Sequence, residues 1–417
     1  MNAKFSLLLL VSWVLTGGAL FSRAASDSLL VGRGDGFKKE HTAASVRIPF
    51  QLIGGVIVVP VGINGSRPLN LILDTGMSAG VVVLFHSDLG QEIGLKYAHE
   101  VALRGAGGEQ TQRKANLAVG ARIEISDIVQ SNQQVVVMDE PRQTSRWTFD
   151  GVIGKSIFDA YVVEIDYQGS VLIVHDPSQF KPENSDSAIP LTLENGLPII
   201  QAVLDTQEEK GIPIKLIVDL GNRNALVFNV NPQKKILFPK RTLSTIVGRG
   251  IQGELPGKVG RLPIIKIGEF DLPDVIASFA SDEGNTGAQP AGSVFDGNIG
   301  YGILQRFRVV LDYPQRRMFL IPREKVFPPF EFNMLGISFE QWMDKSIYVR
   351  DVIERSPAAE KGVRTGDLIT ALNGKDSKDF AFEDVDRLFR EENKDIELTL
   401  LRDGKPMTVR LTLRRLI

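Results

Sequence analysis

Short apolar runs separated by turn-forming residues set the texture of most of the chain. Residues 56–59, 69–73, 134–138 and 171–174 are rich in Val, Ile and Leu, and each run is bounded by Gly, Asn, Asp or Pro. Runs of this length between turn formers predict strands of a barrel or sandwich. Residues 214–218, 262–267 and 317–321 continue the pattern. It changes near Glu331, where charged residues become more frequent. Beyond that point the spacing predicts a helix over residues 382–392, with Phe382, Val385, Leu388 and Phe389 on one face.

The strand pattern occurs twice. Pro68-Leu69-Asn70-Leu71-Ile72-Leu73-Asp74-Thr75-Gly76 recurs as Pro213-Ile214-Lys215-Leu216-Ile217-Val218-Asp219-Leu220-Gly221, an offset of 145 (219 − 74). The Gly-rich stretch Gly105-Ala106-Gly107-Gly108 is matched around Gly250-Ile251, again 145 residues on (250 − 105). Phe149-Asp150-Gly151-Val152-Ile153-Gly154 and Val163-Glu164-Ile165-Asp166-Tyr167 recur from Phe295 and Val309, both displaced by 146 (295 − 149; 309 − 163). Four ordered matches at nearly one offset are a duplication, and each copy predicts a small β lobe. The polar, turn-rich residues 177–187 join the lobes, and the Pro-rich residues 322–329 lead onward.

In both copies an apolar strand delivers an Asp onto a tight turn ending in Gly, which has no Cβ to keep backbone amides from the carboxylate. Two related lobes facing each other across a pseudo-twofold axis bring Asp74 and Asp219 together. Two carboxylates in close contact cannot both ionise readily, so they hold one proton between them. One then serves as a base toward water while the other, protonated, polarises a carbonyl.

Over residues 45–325 the chain resembles retropepsin-like and pepsin-like aspartic peptidases. Leu73-Asp74-Thr75-Gly76 matches the catalytic signature of those families, and Val152-Ile153-Gly154 and Asn298-Ile299-Gly300 match the element packed beneath their active-site loops. The resemblance implies a mainly β, bilobal pepsin-like acid-protease fold. It makes Asp74 and Asp219 catalytic, with Thr75, Gly76, Leu220 and Gly221 in the active-site loops. It also implies flaps at Gly105, Ala106, Gly107 and Gly108 and at Gly250 and Ile251, one per lobe. Leu220 stands where the family has a hydroxyl residue, and Met77 and Asn222 follow the two motifs where pepsins place Ser. The activity implied is an aspartic-type endopeptidase acting on peptides or unfolded proteins. Leu220 keeps a second reading open, a non-catalytic peptide-binding or scaffold protein.

From Glu331 to Ile417 the ordered set Leu335-Gly336-Ile337, Ser356-Pro357-Ala358-Ala359, Gly366-Asp367-Leu368-Ile369 and Leu372-Asn373-Gly374 resembles bacterial PDZ domains. That resemblance implies a small α+β domain binding C-terminal peptides at Leu335, Gly336 and Ile337, against Phe382 and Val385 of the helix. The division expected is a leader at 1–24, lobes at 25–180 and 190–325, and a PDZ domain at 331–417.

Composition narrows the rest. Lys+Arg 48 against Asp+Glu 50 gives no cationic excess for nucleic acid. There is no Cys, so disulfides and thiolate chemistry are excluded, and the four His have no metal-ligand spacing. No metal and no cofactor is expected. Lys4, an apolar run over residues 5–15 and Ser22-Arg23-Ala24 form a secretory leader cut after Ala24. The expected location is secreted or periplasmic and bacterial, with no integral membrane segment after leader removal. With both lobes in one chain, a monomer suffices for activity. A serine peptidase with an appended PDZ domain is a third reading, not favoured here.

Overall fold

The computed structural model describes residues 8–11, 38–39, 45–105, 113–143, 149–251, 253–280, 295–325 and 327–417. The fold is mainly β, with two closed six-stranded barrels and a C-terminal PDZ domain. In the first barrel the order runs Val56–Ile63, Leu69–Leu73, Gly151–Ile153, Val82–Leu84, Ile128–Met138 and Arg113–Ile125, and the last strand closes back on the first. The second runs Leu197–Asp205, Ile212–Val218, Gly297–Ile299, Leu226–Phe228, Phe270–Ala280 and Gly253–Ile267, closed in the same way. Strand for strand, the second barrel repeats the first, as the duplication requires.

Each barrel contains one parallel pairing that positions an Asp. Gly151–Ile153 lies parallel to Leu69–Leu73, and Gly297–Ile299 parallel to Ile212–Val218. The Asp74 amide donates to Ile153 O at 3.0 Å, and the Asp219 amide to Ile299 O at 3.0 Å. The apolar-apolar-Gly and Asn-Ile-Gly segments are therefore short strands beneath the Asp turns. They are buried because strands flanked on both faces by apolar neighbours read as continuous apolar runs.

A six-stranded sheet joins the barrels, in the order Ile189–Glu194, Arg317–Pro322, Phe307–Asp312, Val162–Asp166, Val171–His175 and Ser45–Pro49. At its centre the two copies of the duplicated segment pair antiparallel, Val163 opposite Leu311, Glu164 opposite Val310 and Ile165 opposite Val309. Since Val163 corresponds to Val309 and Ile165 to Leu311, Val163 and Ile165 each lie opposite the other's counterpart, and Glu164 lies opposite its own. That self-complementary register places the pseudo-twofold axis at Glu164 and Val310.

The PDZ sheet runs Ile337–Gln341, Ile347–Val352, Leu368–Leu372, Asp395–Arg402 and Lys405–Thr412, with Ile337–Gln341 at the edge. The helix over it is shorter than the apolar spacing predicts: it spans Phe382–Leu388 and is capped by Phe389. Phe389 O accepts the Met334 amide at 2.7 Å, a partner outside the helix. Asn393 at φ 61° turns the chain toward the next strand.

Arg261 ties this domain to the second lobe, donating to the main-chain oxygens of Ile417 and Phe330 and pairing with Glu331 at 2.9 Å. Ile417 is buried in an apolar cluster with Val227, Val247, Leu255 and Val259 of that lobe. Of the leader expected at 1–24, only Leu8–Val11 falls within the described residues, as a strand parallel to Tyr97–Gly105. Among the described residues no helix is long and apolar enough to cross a membrane.

Candidate functional site

The junction between the barrels brings the two predicted carboxylates together. Asp74 and Asp219 are both completely buried. Each is held first by its own turn: the Gly76 amide donates to Asp74 Oδ1 at 2.7 Å, and the Gly221 amide to Asp219 Oδ1 at 3.0 Å. Each is then pressed against the opposite turn. A Cβ on Gly76 would lie 2.7 Å from Asp219 Oδ1, and a Cβ on Gly221 would lie 2.6 Å from Asp74 Cγ. Only glycine permits that mutual approach, which is why both copies end their motif in Gly.

Burial raises the pKa of both carboxyls well above the ordinary range, because the charged form loses its water; the neighbouring Asp219 charge pushes Asp74 up further. The Gly76, Gly221 and Asn222 amides oppose the rise by donating to the carboxylates. Asp74 Oδ2 has no partner among the described atoms. A single proton held between the two groups satisfies that oxygen. A pair of this kind offers a base and an acid to one reacting molecule, and it titrates as a unit.

The surroundings differ between the copies. Thr75 Oγ1 donates to Val218 O at 2.6 Å and accepts the Leu220 amide at 3.0 Å, so the first loop grips the second across the axis. Leu220 returns no such bond and is buried in the core. Instead Asn298 Nδ2 donates to Asp219 Oδ2 at 3.0 Å, and Asn222 Nδ2 donates to Asn298 Oδ1 at 2.8 Å. Val152 occupies the corresponding place in the first copy. Asn298 is thus a site residue that the sequence presented only as packing. The sole signal was a polar side chain inside an otherwise apolar segment.

Asp150 and Asp296 are a second matched pair, buried and structural. They accept the Asn70 and Lys215 amides at 2.8 and 2.9 Å, and each meets a cation, Arg142 or Lys234. His86 Nε2 lies 3.0 Å from Phe149 O, and His175 Nε2 lies 3.1 Å from Glu164 Oε2. Among the described residues no cluster could hold a metal ion.

The two flaps are unequally described. Gly105 ends strand Tyr97–Gly105, while Ala106, Gly107 and Gly108 lie outside the described residues. Strands Thr242–Gly250 and Gly253–Ile267 form the second hairpin, with Gly250 and Ile251 at its tip. Ile251 crosses to the first lobe and is fully buried among Met77, Val81 and Phe149. The first strand of this hairpin is tied to the PDZ sheet: Thr245 Oγ1 donates to Asp351 Oδ2 at 2.8 Å, and Arg249 pairs with Glu340 at 3.4 Å.

The expected peptide-binding residues of the PDZ domain separate into two groups. Leu335 and Val385 are completely buried in the core. Gly336, at φ 81°, donates its amide to Asn333 Oδ1 at 3.0 Å. Ile337 and Phe382 line a cavity of about 210 Å³ between the PDZ edge strand and the second lobe.

Comparison with known proteins divides along the same lines. Residues 333–413 match the PDZ domain family, and residues 59–157 match the family described as aspartyl protease. The chain is similar to the periplasmic pH-dependent serine endoprotease DegQ of Escherichia coli, 37% identical over 76 residues, which is 18% of this chain and 17% of that protein. It is also similar to the serine protease Do-like HtrB of Bacillus subtilis, 32% identical over 116 residues, 27% of this chain and 24% of that protein. It thus spans about a quarter or less of the length of these relatives. Among solved structures, a photosystem II D1 C-terminal processing protease matches 20% of this chain and 24% of its own at 23% identity, with a TM-score of 0.19.

The relatives correct the expected activity. They are serine endoproteases by name, which overturns the expectation of an aspartic-type, retropepsin-like endopeptidase; the PDZ domain over residues 333–413 stands. The expectation rested on a short motif around each Asp and on the fold, and a fold does not fix the chemistry it carries. Gly76-Met77-Ser78-Ala79-Gly80 has the Gly-x-Ser-x-Gly spacing, and serine triads are defined by geometry and not by one motif.

Proposed function

We propose that the chain is an endoprotease of the bacterial periplasm that engages protein substrates through its PDZ domain. Its working centre is the junction of the barrels, with Asp74 and Asp219 as the proton-handling pair, and it acts without a second copy. The single observation that carries this reading is the meeting of two fully buried carboxyl groups, each pressed against the other's glycine turn. The PDZ match, the periplasmic endoprotease relatives and the leader-like first residues support the compartment and the substrate class. A hairpin that covers the junction while bonded to the PDZ sheet supports joint action of the two parts.

Degradation of β-casein by the full chain tests the reading. Asp74→Asn and Asp219→Asn are each expected to slow turnover at least about 100-fold, the scale of a lost acid or base. Labelling by a fluorophosphonate, run beside it, reports on serine chemistry. Unchanged turnover in both variants, together with a labelled serine, would move the reaction away from the junction. A wild-type chain that cleaves nothing but binds peptides would be the scaffold that Leu220 first suggested.

A further inference from the structure

The loop that carries Asp219 does not end at the junction. It continues through Gly221 and Asn222 to Arg223, whose side chain leaves the second lobe and enters the PDZ domain. Arg223 Nη1 donates to Phe339 O at 2.9 Å. Its guanidinium carbon lies 5.6 Å from the centre of the Phe339 ring and 5.8 Å from that of Phe382, within cation–π range of both. Phe339 belongs to the edge strand Ile337–Gln341, and Phe382 begins the helix above it. An added peptide strand lies between just these two elements in PDZ-type recognition.

The Arg223 guanidinium is buried among charged groups of both signs. Burial works most strongly against the charged form and Arg390 adds to it; Asp386 and Glu340 offset part of that, although Glu340 also pairs with Arg249 and Arg350 and Asp386 with Arg390. The cavity of about 210 Å³ beside Arg223 is lined by Ile337, Phe339 and Phe382 on one side and by Thr245 and Asn224 on the other. One edge carbonyl and one slot between two rings cannot serve two cations at once.

We propose that Arg223 is a built-in occupant of the PDZ groove, and that the groove's external ligand is a peptide whose Arg or Lys side chain takes its place. Displacement frees the segment that follows Asp219. Since Thr245 and Arg249 of the covering hairpin are bonded to the same sheet through Asp351 and Glu340, that hairpin feels the exchange too. The coupling is reciprocal: whatever draws Arg223 back toward the junction opens the groove. The consequence for turnover rests on the proposed role of the junction, whereas the exchange itself does not.

Binding of labelled peptides to the full chain, read by fluorescence anisotropy, tests the inference without any turnover. The probes are fluorescein-labelled octapeptides of Ser and Ala ending in Val, with one Arg moved through the last six positions, and the same set with Glu. At least one Arg peptide is expected to bind, and its Glu counterpart at least about tenfold more weakly. Arg223→Ala is expected to tighten the Arg peptide about tenfold, as happens when a self-occupied fraction of about 90% is removed. Arg223→Lys should fall between the two. Equal affinity for wild type and Arg223→Ala, equal binding of Arg and Glu peptides, or no binding to Arg223→Ala would each overturn it. Should the Ala variant fail to fold, hydrogen exchange of the wild type decides. Saturating Arg peptide must speed exchange over residues 220–224, and an unchanged rate there sinks the inference.

Discussion

Asp219 sits deeper in neutral polar contacts than Asp74 does. Asn298 and the Gly221 amide donate to it, and the chain Asn222–Asn298–Asp219 is fully buried. Those donors temper the cost of burying the carboxyl but do not cancel it, since the pKa stays raised. A carboxyl whose pKa is higher folded than unfolded binds protons more tightly in the folded state. Its contribution to stability is therefore intact at acid pH, below the unfolded value of 3.8, and is lost as pH rises toward the folded value. Asp219→Asn removes that loss. The urea midpoint of the variant should exceed that of wild type at pH 7 by clearly more than at pH 4, with a difference above about 1.4 kcal/mol for a shift of more than one unit. A constant offset at both pH values would show that the pair does not hold a proton against neutral water.

At the scale of elements, the hairpin ending in Gly250 and Ile251 joins three bodies: it grows from the second barrel, covers the first and bonds the PDZ sheet. Ile251 anchors it in the first barrel. Truncating a buried Ile to Ala costs about 2–5 kcal/mol when the whole fold must absorb the loss. A hairpin tip can open by itself, so the cost should appear locally. Ile251→Ala is therefore expected to speed hydrogen exchange over residues 245–257 at least tenfold while the global urea midpoint falls by less than half of that range. A large global loss with unchanged local exchange would make Ile251 a core residue and not a latch.

The sequence made the paired barrels readable, because a duplication announces itself as a repeated offset. The same repeat predicted that Asp74 and Asp219 would face each other. It could not reveal contacts that break the repeat. Asn298 replaces an apolar residue, Ile251 buries itself in the opposite lobe, and Arg223 reads as an ordinary exposed cation after a turn. Each depends on residues more than 70 positions away, where local pattern carries no information. A motif likewise did not fix the catalytic class, since the relatives are serine endoproteases by name.

Across the whole molecule, the PDZ domain is docked and not tethered. Arg261 holds the oxygens of Ile417 and Phe330 together with the carboxylates of Asp274 and Glu331, and Arg241 reaches Leu416 O. Removing Arg261 leaves those acceptors without their shared donor, and breaking such a partly buried cluster is costly. Calorimetry of Arg261→Ala should resolve a separate, lower transition for the PDZ domain, whereas a single unshifted transition would show that apolar contact alone holds it.

The seam between the barrels also dictates a timetable. One edge of Val162–Asp166 pairs with the nearby Val171–His175, but the other finds its partner in Phe307–Asp312, so the ribosome must add some 140 further residues (307 − 166 = 141) before that edge can be covered. At roughly 5–20 residues per second this leaves one edge of an apolar strand uncovered for about 7–30 seconds in every nascent copy. Such a waiting edge is a natural point of capture for a holding chaperone, and a natural origin of aggregates when translation stalls beyond the first lobe.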